Sequence, residues 1–350
     1  MPHPVAMLER PLRLLFVAPG ALTGSHLPFV RREAQALAAA GHKVELYGFD
    51  NRSYLPWRFV AQALALRDTV RRFRPDVVHA QFGKFNALLA AWAAGRTPLV
   101  ITFRGTDINR NFKYSGVRAA LGVFASQLAA FFARGVVCVS GEILSKVWAR
   151  GGRRCIVMPT GVDLRAFVPM DHAEVRAQLR LDPRERIVLF NAGRNPEVKD
   201  PALAAAAVAE ARRLIGPVRL LVLDGTAPPE QVPAYMNAAD CLILTSRTEG
   251  SPTVVQEAMA CNLPVVSVDV GDVRDRLRGV DACAVVRSRD ASDLGAALAE
   301  VLRAPRRSDG RAHAAALDVA AVAARLARFY AELLAAGRDR DLGAKYRPAD

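Results

Sequence analysis

The sequence predicts an α/β fold made of two doubly wound, parallel-sheet domains that face each other across a cleft. Apolar runs of strand length alternate with Ala-rich, helix-like segments throughout, which is the pattern of parallel α/β sheets. The 350 residues exceed what one hydrophobic core usually holds. A stretch rich in turn residues, "CIVMPTGVDLRAFVPMD" (155 to 171), divides the alternation into two series. The expected division is a first domain over 1–165, a second over 166–310, a terminal helix over 311–336 that packs back toward the first domain, and a polar tail over 337–350.

In the first series "LRLLFVAP" (12 to 19) reads as a strand, followed by a glycine-containing loop and the helix "PFVRREAQALAAAG", which Gly41 stops. "HKVELYGF", "DVVHAQF", "PLVITFRG" and "GVVCVS" are the next strands, with "NALLAAWAAG" and "SGVRAALGVFASQLAAFFARG" as helices between them. In the second series "RIVLFNAG", "VRLLVLDG", "DCLILTS", "LPVVSVDVG" and "ACAVVRS" are strands, and "DPALAAAAVAEARRLI" and "TVVQEAMACN" are among the helices. The ligand-binding loops of such sheets lie at the carboxyl ends of their strands.

Composition narrows the function. About half the residues are apolar (51%), enough for two cores, but the longest apolar runs are far shorter than the roughly 20 residues of a membrane span. The N-terminal apolar segment follows Glu9 and Arg10 and reads as a first strand rather than a secretory signal, so a cytoplasmic protein is expected. The five cysteines are scattered beside apolar residues without Cys-x-x-Cys spacing, which favours buried free thiols over a nucleophile or metal site. The net charge of +14 belongs wholly to residues 1–170, with 23 Lys+Arg against 9 Asp+Glu; residues 171–350 hold 25 of each. Cationic helix faces there suit nucleic acid, anionic lipid or a phosphorylated substrate, or are simply solvated. With no reader motif and no regularly spaced aromatics, nucleic acid is the weakest of these and an anionic membrane surface or lipid-linked acceptor the strongest.

Three loops after strands carry candidate chemistry. In "PGALTGSH" (19 to 26), Gly20 and Gly24 permit close backbone approach before a helix start, suiting a phosphate or an ordinary turn equally. It is not a dinucleotide fingerprint. In "FNAGRNPEVKDPALAAA", Arg194 and Lys199 can hold a diphosphate from two directions, or one of them can pair with Glu197 or Asp200. In "TSRTEGSPTVVQEAMACNLPVV" (245 to 266), Glu249 and Glu257 flank the turn of Gly250, Ser251 and Pro252. Two carboxylates at such a turn fit a general acid/base pair, a metal site, a sugar clamp or a capped helix. The N–H groups of Thr253 and Val254 at the helix start suit a phosphate oxygen, while Glu257, one turn in, suits a ribose diol. Capping by Ser251 or Thr253 is compatible with that role.

These residues resemble the nucleotide-sugar site of glycosyltransferase family 4. The likeness rests on Glu249 and Glu257 with seven residues between, the "EGSP" turn, "EAMACNLPVV" after it, and Arg194 with Lys199 before it. It extends through "GALTGSH…AQALAAAGHKV", "PDVVHAQFG", "TFRGTDI", "PTGVD" and "MNAADCLILTS", and so over most of the chain. Within the family, the run from Glu249 onward is similar to bacterial surface-polysaccharide and glycoconjugate transferases.

The resemblance implies the GT-B fold, with an acceptor-binding first domain and a nucleotide-sugar-binding second one. It implies that Arg194 and Lys199 grip the donor diphosphate, that Thr253 and Val254 give it backbone donors, and that Glu257 binds the ribose. Glu249 with Gly250, Ser251 and Pro252 would contact the transferred sugar; Gly24 and Ser25 match the loop that approaches donor phosphate and acceptor. Ser140 is a lesser candidate.

The implied reaction is retaining, with front-face attack aided by the leaving phosphate. Fixed cations and a helix N-terminus would stabilise the departing diphosphate, so no metal and no cofactor is expected beyond the donor. Asp339 and Asp341, the only spaced acid pair resembling a metal motif, sit in the tail and are rejected as one.

The match departs at "TFRGTD", where many relatives carry His. Arg104 there cannot act as a base. It is a candidate for binding donor phosphate or an anionic acceptor, with Asp107 as its partner, or the two form a structural pair. Gln81 also replaces a frequent His, and His79 is assigned to packing or hydrogen bonding beside its strand.

The leading expectation is therefore a hexosyl- or N-acetylhexosaminyl-transferase using a UDP-sugar on a carbohydrate or lipid-linked acceptor, peripheral at the inner membrane surface. A nucleotide-sugar epimerase of the same fold and a non-catalytic sugar-nucleotide-binding or membrane-associated partner protein are the alternatives.

Overall fold

The computed structural model describes residues 10–20, 27–49, 56–109, 116–148, 154–193 and 196–345, with the side chains of 56, 118 and 337–345 left aside. The chain forms two units, one of residues 1–161 with 319–350 and one of residues 162–318.

The first unit alternates β1 (Arg13–Pro19), α1 (Pro28–Ala39), β2 (Lys43–Phe49), α2 (Pro56–Phe73), β3 (Val77–Gln81), α3 (Lys84–Ala94), β4 (Leu99–Phe103), α4 (Val117–Phe132), β5 (Gly135–Cys138), α5 (Gly141–Ser145) and β6 (Arg154–Val157). The strands form a six-stranded sheet in the order β2-β1-β3-β4-β5-β6, and every neighbouring pair is parallel.

Successive strand residues point to opposite faces, and both faces are buried. Leu15, Val17, Val78, Ala80, Ile101 and Phe103 pack under Leu66 and Val70 of α2, Ala87 and Ala90 of α3, and Ala129 and Ala130 of α4. The alternate residues Leu14, Phe16, Val77, Val100 and Val137 pack under Val30, Ala34 and Leu37 of α1 and under Val322, Leu326, Phe329 and Tyr330 of the terminal helix. Gly135 on β5 permits that second contact, because an added Cβ would lie 2.7 Å from Leu333 Cδ1 and 2.8 Å from Phe329 Cζ.

β6 overlaps the start of the stretch read above as linker. Only four residues long and bearing two exposed side chains, it has no apolar periodicity of its own; its pairing with β5, Gly135 opposite Arg154, makes it a strand.

The second unit runs α6 (His172–Gln178), β7 (Ile187–Asn191), α7 (Pro196–Lys199), α8 (Pro201–Ile215), β8 (Arg219–Leu223), α9 (Val232–Ala238), β9 (Cys241–Leu244), α10 (Thr253–Ala260), β10 (Val265–Val268), α11 (Val273–Arg276), β11 (Ala284–Val286), α12 (Ala291–Arg303) and α13 (Gly310–Ala314). Its five parallel strands are ordered β11-β10-β9-β7-β8. One face carries α8 and α12 over Val188, Phe190, Ile243 and Val266. The other carries α9, α10 and α13 over Leu189, Leu242, Leu244 and Val265.

The single helix read over 311–336 is instead three pieces. After α13, a 3-10 turn at Ala315–Leu317 leads to Asp318 in extended conformation (φ −53°, ψ 135°), and α14 (Val319–Lys345) starts afresh. The break serves a long-range bond: Val162 N–H donates to Leu317 O at 2.8 Å, and Val162 bridges Asp318. The backbone of α14 also continues to Lys345, through most of the segment read as a polar tail.

Candidate functional site

In the second unit the loops after β7 and β9 are locked to each other. Thr245, just past β9, donates from Oγ1 to the carbonyls of Lys199 (2.8 Å) and Asp200 (3.0 Å), and Arg247 N–H donates to Val198 O at 2.8 Å. Asp200 caps α8 from a left-handed backbone (φ 56°), its carboxylate accepting from Leu203 N–H. The same carboxylate meets Arg247 at 3.1 Å and Arg289 at 2.8 Å, and Arg289 also donates to the carbonyls of Thr245 and Ser246. The result fixes Lys199 at the end of α7, where its ammonium donates to Glu249 Oε1 at 2.6 Å. Neither Glu197 nor Asp200 takes that role; Asp200 is satisfied by two arginines. Lys199 and Glu249, 21% and 17% exposed, keep access to solvent, so the ammonium remains within reach of an anion.

The turn leading into α10 is built as tightly. Gly271 holds φ +60°, and a Cβ there would lie 2.9 Å from Gly250 O and 3.2 Å from Glu249 O, so only glycine lets the segment after β10 approach this turn. Ser251 Oγ donates to Asp272 Oδ2 at 2.8 Å and accepts from Gln256 Nε2 at 3.0 Å, while Arg276 holds the same Asp272 oxygen at 2.6 Å.

Ser251 is therefore engaged with α11 and does not cap α10, and neither does Thr253. Pro252 occupies the N-cap position (φ −70°, ψ 112°), with no side-chain cap at all. An N-terminus without a side-chain cap leaves its first N–H groups, those of Thr253 and Val254, directed along the helix axis with the positive end of the dipole. Glu257 lies one turn inside, buried. Ser246 Oγ, Gln256 Oε1, Asp272 Oδ1 and Arg276 Nε are buried around this turn without a hydrogen-bond partner. Such atoms are the polar capacity that a hydroxyl-rich ligand or ordered water satisfies.

Arg104 is placed very differently, at the end of β4 in the first unit. Its guanidinium is 7% exposed and donates to Thr160 Oγ1 at 2.8 Å and to Gln81 Oε1, pairs with Glu33 at 3.4 Å, and lies 4.5 Å from the ring centre of Phe29. Burial pushes its pKa down and the Glu33 carboxylate pulls it back up. Asp107 does not pair with the guanidinium. Its carboxylate accepts from the backbone N–H groups of Gly83, Arg104 and Gly105, which fastens the loop after β4 to the loop after β3.

Beside Arg104, His79 shares hydrogen bonds with Tyr330 OH (2.5 Å) and Thr102 Oγ1 (2.7 Å), and burial followed by the Arg104 charge lowers its pKa to about 3. His79 is a neutral core residue. Ser140 caps α5, accepting from Ile143 N–H at 3.3 Å. The five cysteines are free, and burial raises the thiol pKa values of four, Cys261 to about 12 and Cys283 to about 11.

Of the residues predicted from sequence, the structure brings Lys199, Glu249, Gly250, Ser251, Pro252, Thr253, Val254 and Glu257 together on the second unit. Arg194, Gly24 and Ser25 lie outside the described residues. Sequence reading missed Arg247, Arg289 and Thr245, which hold the two loops together, and Asp272, which holds Ser251. It also missed Glu33, the buried partner of Arg104. No motif marks these residues, because their partners lie 21 to 89 positions away. Among the described residues no three His, Cys, Asp or Glu side chains are grouped to hold a metal ion.

Two family models match the chain: Glycosyltransferase Family 4 over residues 29–166 and Glycosyl transferases group 1 over residues 172–304. The chain belongs to glycosyltransferase family 4. Among curated relatives of the family, a D-inositol 3-phosphate glycosyltransferase of Segniliparus rotundus is 34% identical over 55% of this chain and 50% of its own length. The putative teichuronic acid biosynthesis glycosyltransferase TuaC of Bacillus subtilis is 27% identical over 69% of this chain and 65% of its own. The chain thus spans about half to two thirds of the length of these relatives.

Solved structures of the same fold include a sucrose-phosphate synthase from Thermosynechococcus elongatus (TM-score 0.75, 19% identity, covering 93% of this chain and 100% of that one). Another is the Anabaena protein HepE in complex with UDP-glucose (TM-score 0.70, 18% identity, covering 92% and 100%). The two parallel-sheet α/β domains are those of the GT-B fold.

Proposed function

We propose that the chain transfers a sugar from a nucleoside-diphosphate sugar, a UDP-sugar, to a carbohydrate or lipid-linked acceptor in bacterial surface-polysaccharide or glycoconjugate synthesis. The observation that carries this reading is the constellation on the second unit: the Lys199 ammonium on Glu249, beside the uncapped start of α10 with Glu257 one turn inside. Breaking an anomeric carbon–oxygen bond builds positive charge on the sugar and negative charge on the departing diphosphate. Lys199 and the N–H groups of Thr253 and Val254 are fixed in place for that negative charge, and the family likeness adds Arg194 to them. Glu257 accepts from the ribose hydroxyls, and Glu249 with Gly250 and Ser251 faces the transferred hexose or N-acetylhexosamine.

With these cations supplying the charge, the reaction proceeds without a divalent metal. It retains anomeric configuration, because the leaving phosphate itself takes the acceptor's proton. Arg104 acts by shaping the loop after β4 rather than by gripping phosphate, in keeping with its burial. The basic first half of the chain holds the enzyme at an anionic membrane surface.

Incubation with UDP-sugars and a mixed acceptor panel tests the reading. Acceptor-dependent UDP release that survives EDTA and is largely lost in Lys199→Ala and Glu257→Ala is the expected result. Donor binding with no turnover across a broad panel would sink it in favour of a silent sugar-nucleotide-binding protein, and interconversion of the UDP-sugar itself would make the chain an epimerase.

A further inference from the structure

The helices covering one face of the first sheet are unfinished on their outer side. On α4 the residues Val117, Leu121, Phe124, Leu128 and Phe131 recur at spacings of four and three, and all five are exposed. That spacing puts them in one stripe along the helix. Ala125, Ala129 and Ala130 of the same helix are buried, so α4 is apolar on both sides, and among the described residues only one side is covered.

α3 packs between α2 and α4 and continues the surface with exposed Phe85 and Trp92; α2 adds Trp57, Val60 and Leu64. By contrast, the second unit's large exposed apolar side chains among the described residues are scattered: Met170 in the segment before α6, Leu214 on α8 and Val222 on β8. A contiguous exposed apolar surface on this scale marks an interaction site.

Charge identifies the occupant. The sequence of α2, α3 and α4 holds six Lys or Arg and one acid, Asp68. The Arg67 guanidinium lies 4.8 Å from the centre of the Trp92 ring, so cation and aromatic share the surface. Where α3 and α4 end, a groove of about 410 Å³ is lined by Arg96 and Arg134 together with Phe131 and Phe132, and by Arg154, which pairs with Glu332 at 2.8 Å. Two copies meeting through this face would bring cations against cations with almost no acid to answer them, whereas an anionic partner is matched everywhere. Val117, Leu121 and Leu128 have no π-face to stack on a base, and they suit an acyl boundary. Among the described residues no helix is long and apolar enough to cross a bilayer, so helices of this composition lie in its plane.

We infer that the outer face of α2, α3 and α4 docks on an anionic lipid bilayer. The apolar stripe of α4 and Trp92 enter the headgroup–acyl boundary while Arg67, Arg71, Arg96 and Arg134 meet lipid phosphates. This deepens the membrane part of the function proposed above and is independent of the transfer chemistry on the second unit.

Co-sedimentation of the full chain with phosphatidylglycerol/phosphatidylcholine vesicles and with pure phosphatidylcholine vesicles, at low and high salt, tests it. Wild type binds the anionic vesicles, binds pure phosphatidylcholine at least tenfold less, and at high salt keeps part of its binding through the apolar stripe. The triple variant Leu121→Ser, Phe124→Ser, Leu128→Ser and the pair Arg67→Glu, Arg134→Glu each lose tenfold or more of the binding. Because all five positions are exposed, the thermal melts stay unchanged.

Wild-type binding that both variants keep would overturn this face as the docking surface and leave the general membrane reading standing. Absence of wild-type binding would overturn both, and leave UDP release unaffected. A lipid-free dimer that the triple variant converts to monomer would make the face an interface between copies and overturn the lipid assignment.

Discussion

Both units are parallel sheets covered on two faces, yet they place charge and apolar surface in opposite ways. The first unit buries its most elaborate polar network, Arg104 with Glu33, Gln81 and Thr160, beside His79 and Tyr330, and turns Trp and Phe side chains outward. The second unit covers most of its apolar residues and leaves partly exposed cations at the carboxyl ends of its strands, with Lys199 on Glu249 and Arg247 and Arg289 on Asp200. Among its described residues the one deeply buried arginine, Arg176, is consumed by Asp240 and by backbone carbonyls. A charge that must meet a ligand cannot be paid for twice: a cation engaged by several buried partners shapes a loop, whereas one held by a single solvent-accessible carboxylate can exchange that partner for a phosphate.

This contrast can be broken first at Arg104. Arg104→Ala leaves the Glu33 carboxylate and Gln81 unpaired in the interior and should destabilise the first unit by about 3–5 kcal/mol. Urea unfolding followed by the tryptophans, all three of which lie in the first unit's sequence, measures it. A change below 1 kcal/mol would mean that the network is dispensable and that Arg104 is free for a ligand after all.

Lys199→Ala tests the other half. About a 100- to 1,000-fold loss of turnover, the usual cost of removing one preorganised charge-stabilising donor, is expected with little change in melting temperature. A large stability loss without a kinetic one would assign Lys199 to structure.

Third comes pH. Folding holds the His79 pKa near 3, well below the unfolded imidazole's 6.5, so between those values the unfolded state binds the extra proton. The stability that His79 contributes is complete above about pH 6.5 and is lost progressively as pH falls toward 3, on the order of 2 kcal/mol by pH 5. Comparing the pH dependence of unfolding for wild type and His79→Gln isolates this slope. Equal slopes would show that His79 titrates normally in the folded protein.

The smallest effect is expected at Arg278→Ala. Its pair with Asp275 is three quarters exposed on both sides, so neither stability nor turnover should change measurably.

The strand series and the site turn were legible because their signals are local. "DCLILTS" followed by "RTEGSPT" and an amphipathic run specifies strand, turn and helix by itself. β6 was not legible, since four residues with exposed ends become a strand only by pairing with β5. The terminal helix was misread as one piece because nothing in "RAHAAALDVAAVAARLARFY" opposes helix locally; the break at Asp318 is imposed by Val162, 156 residues earlier. Nor did sequence distinguish Arg104 from Lys199, two cations after two strands.

By itself, then, the sequence determined the order of strands and helices, the composition of the turn from Glu249 to Glu257 and the concentration of positive charge in the first half. Those follow from periodicity, turn chemistry and residue type, which act between near neighbours. Tertiary structure alone decided that Ser251 bonds to Asp272 and leaves α10 uncapped, that Arg104 is buried against Glu33, and that the stripe of α4 faces outward. Each depends on desolvation and on partners brought from distant positions, and hydrogen bonds and burial are properties of the assembled sheet rather than of any segment within it.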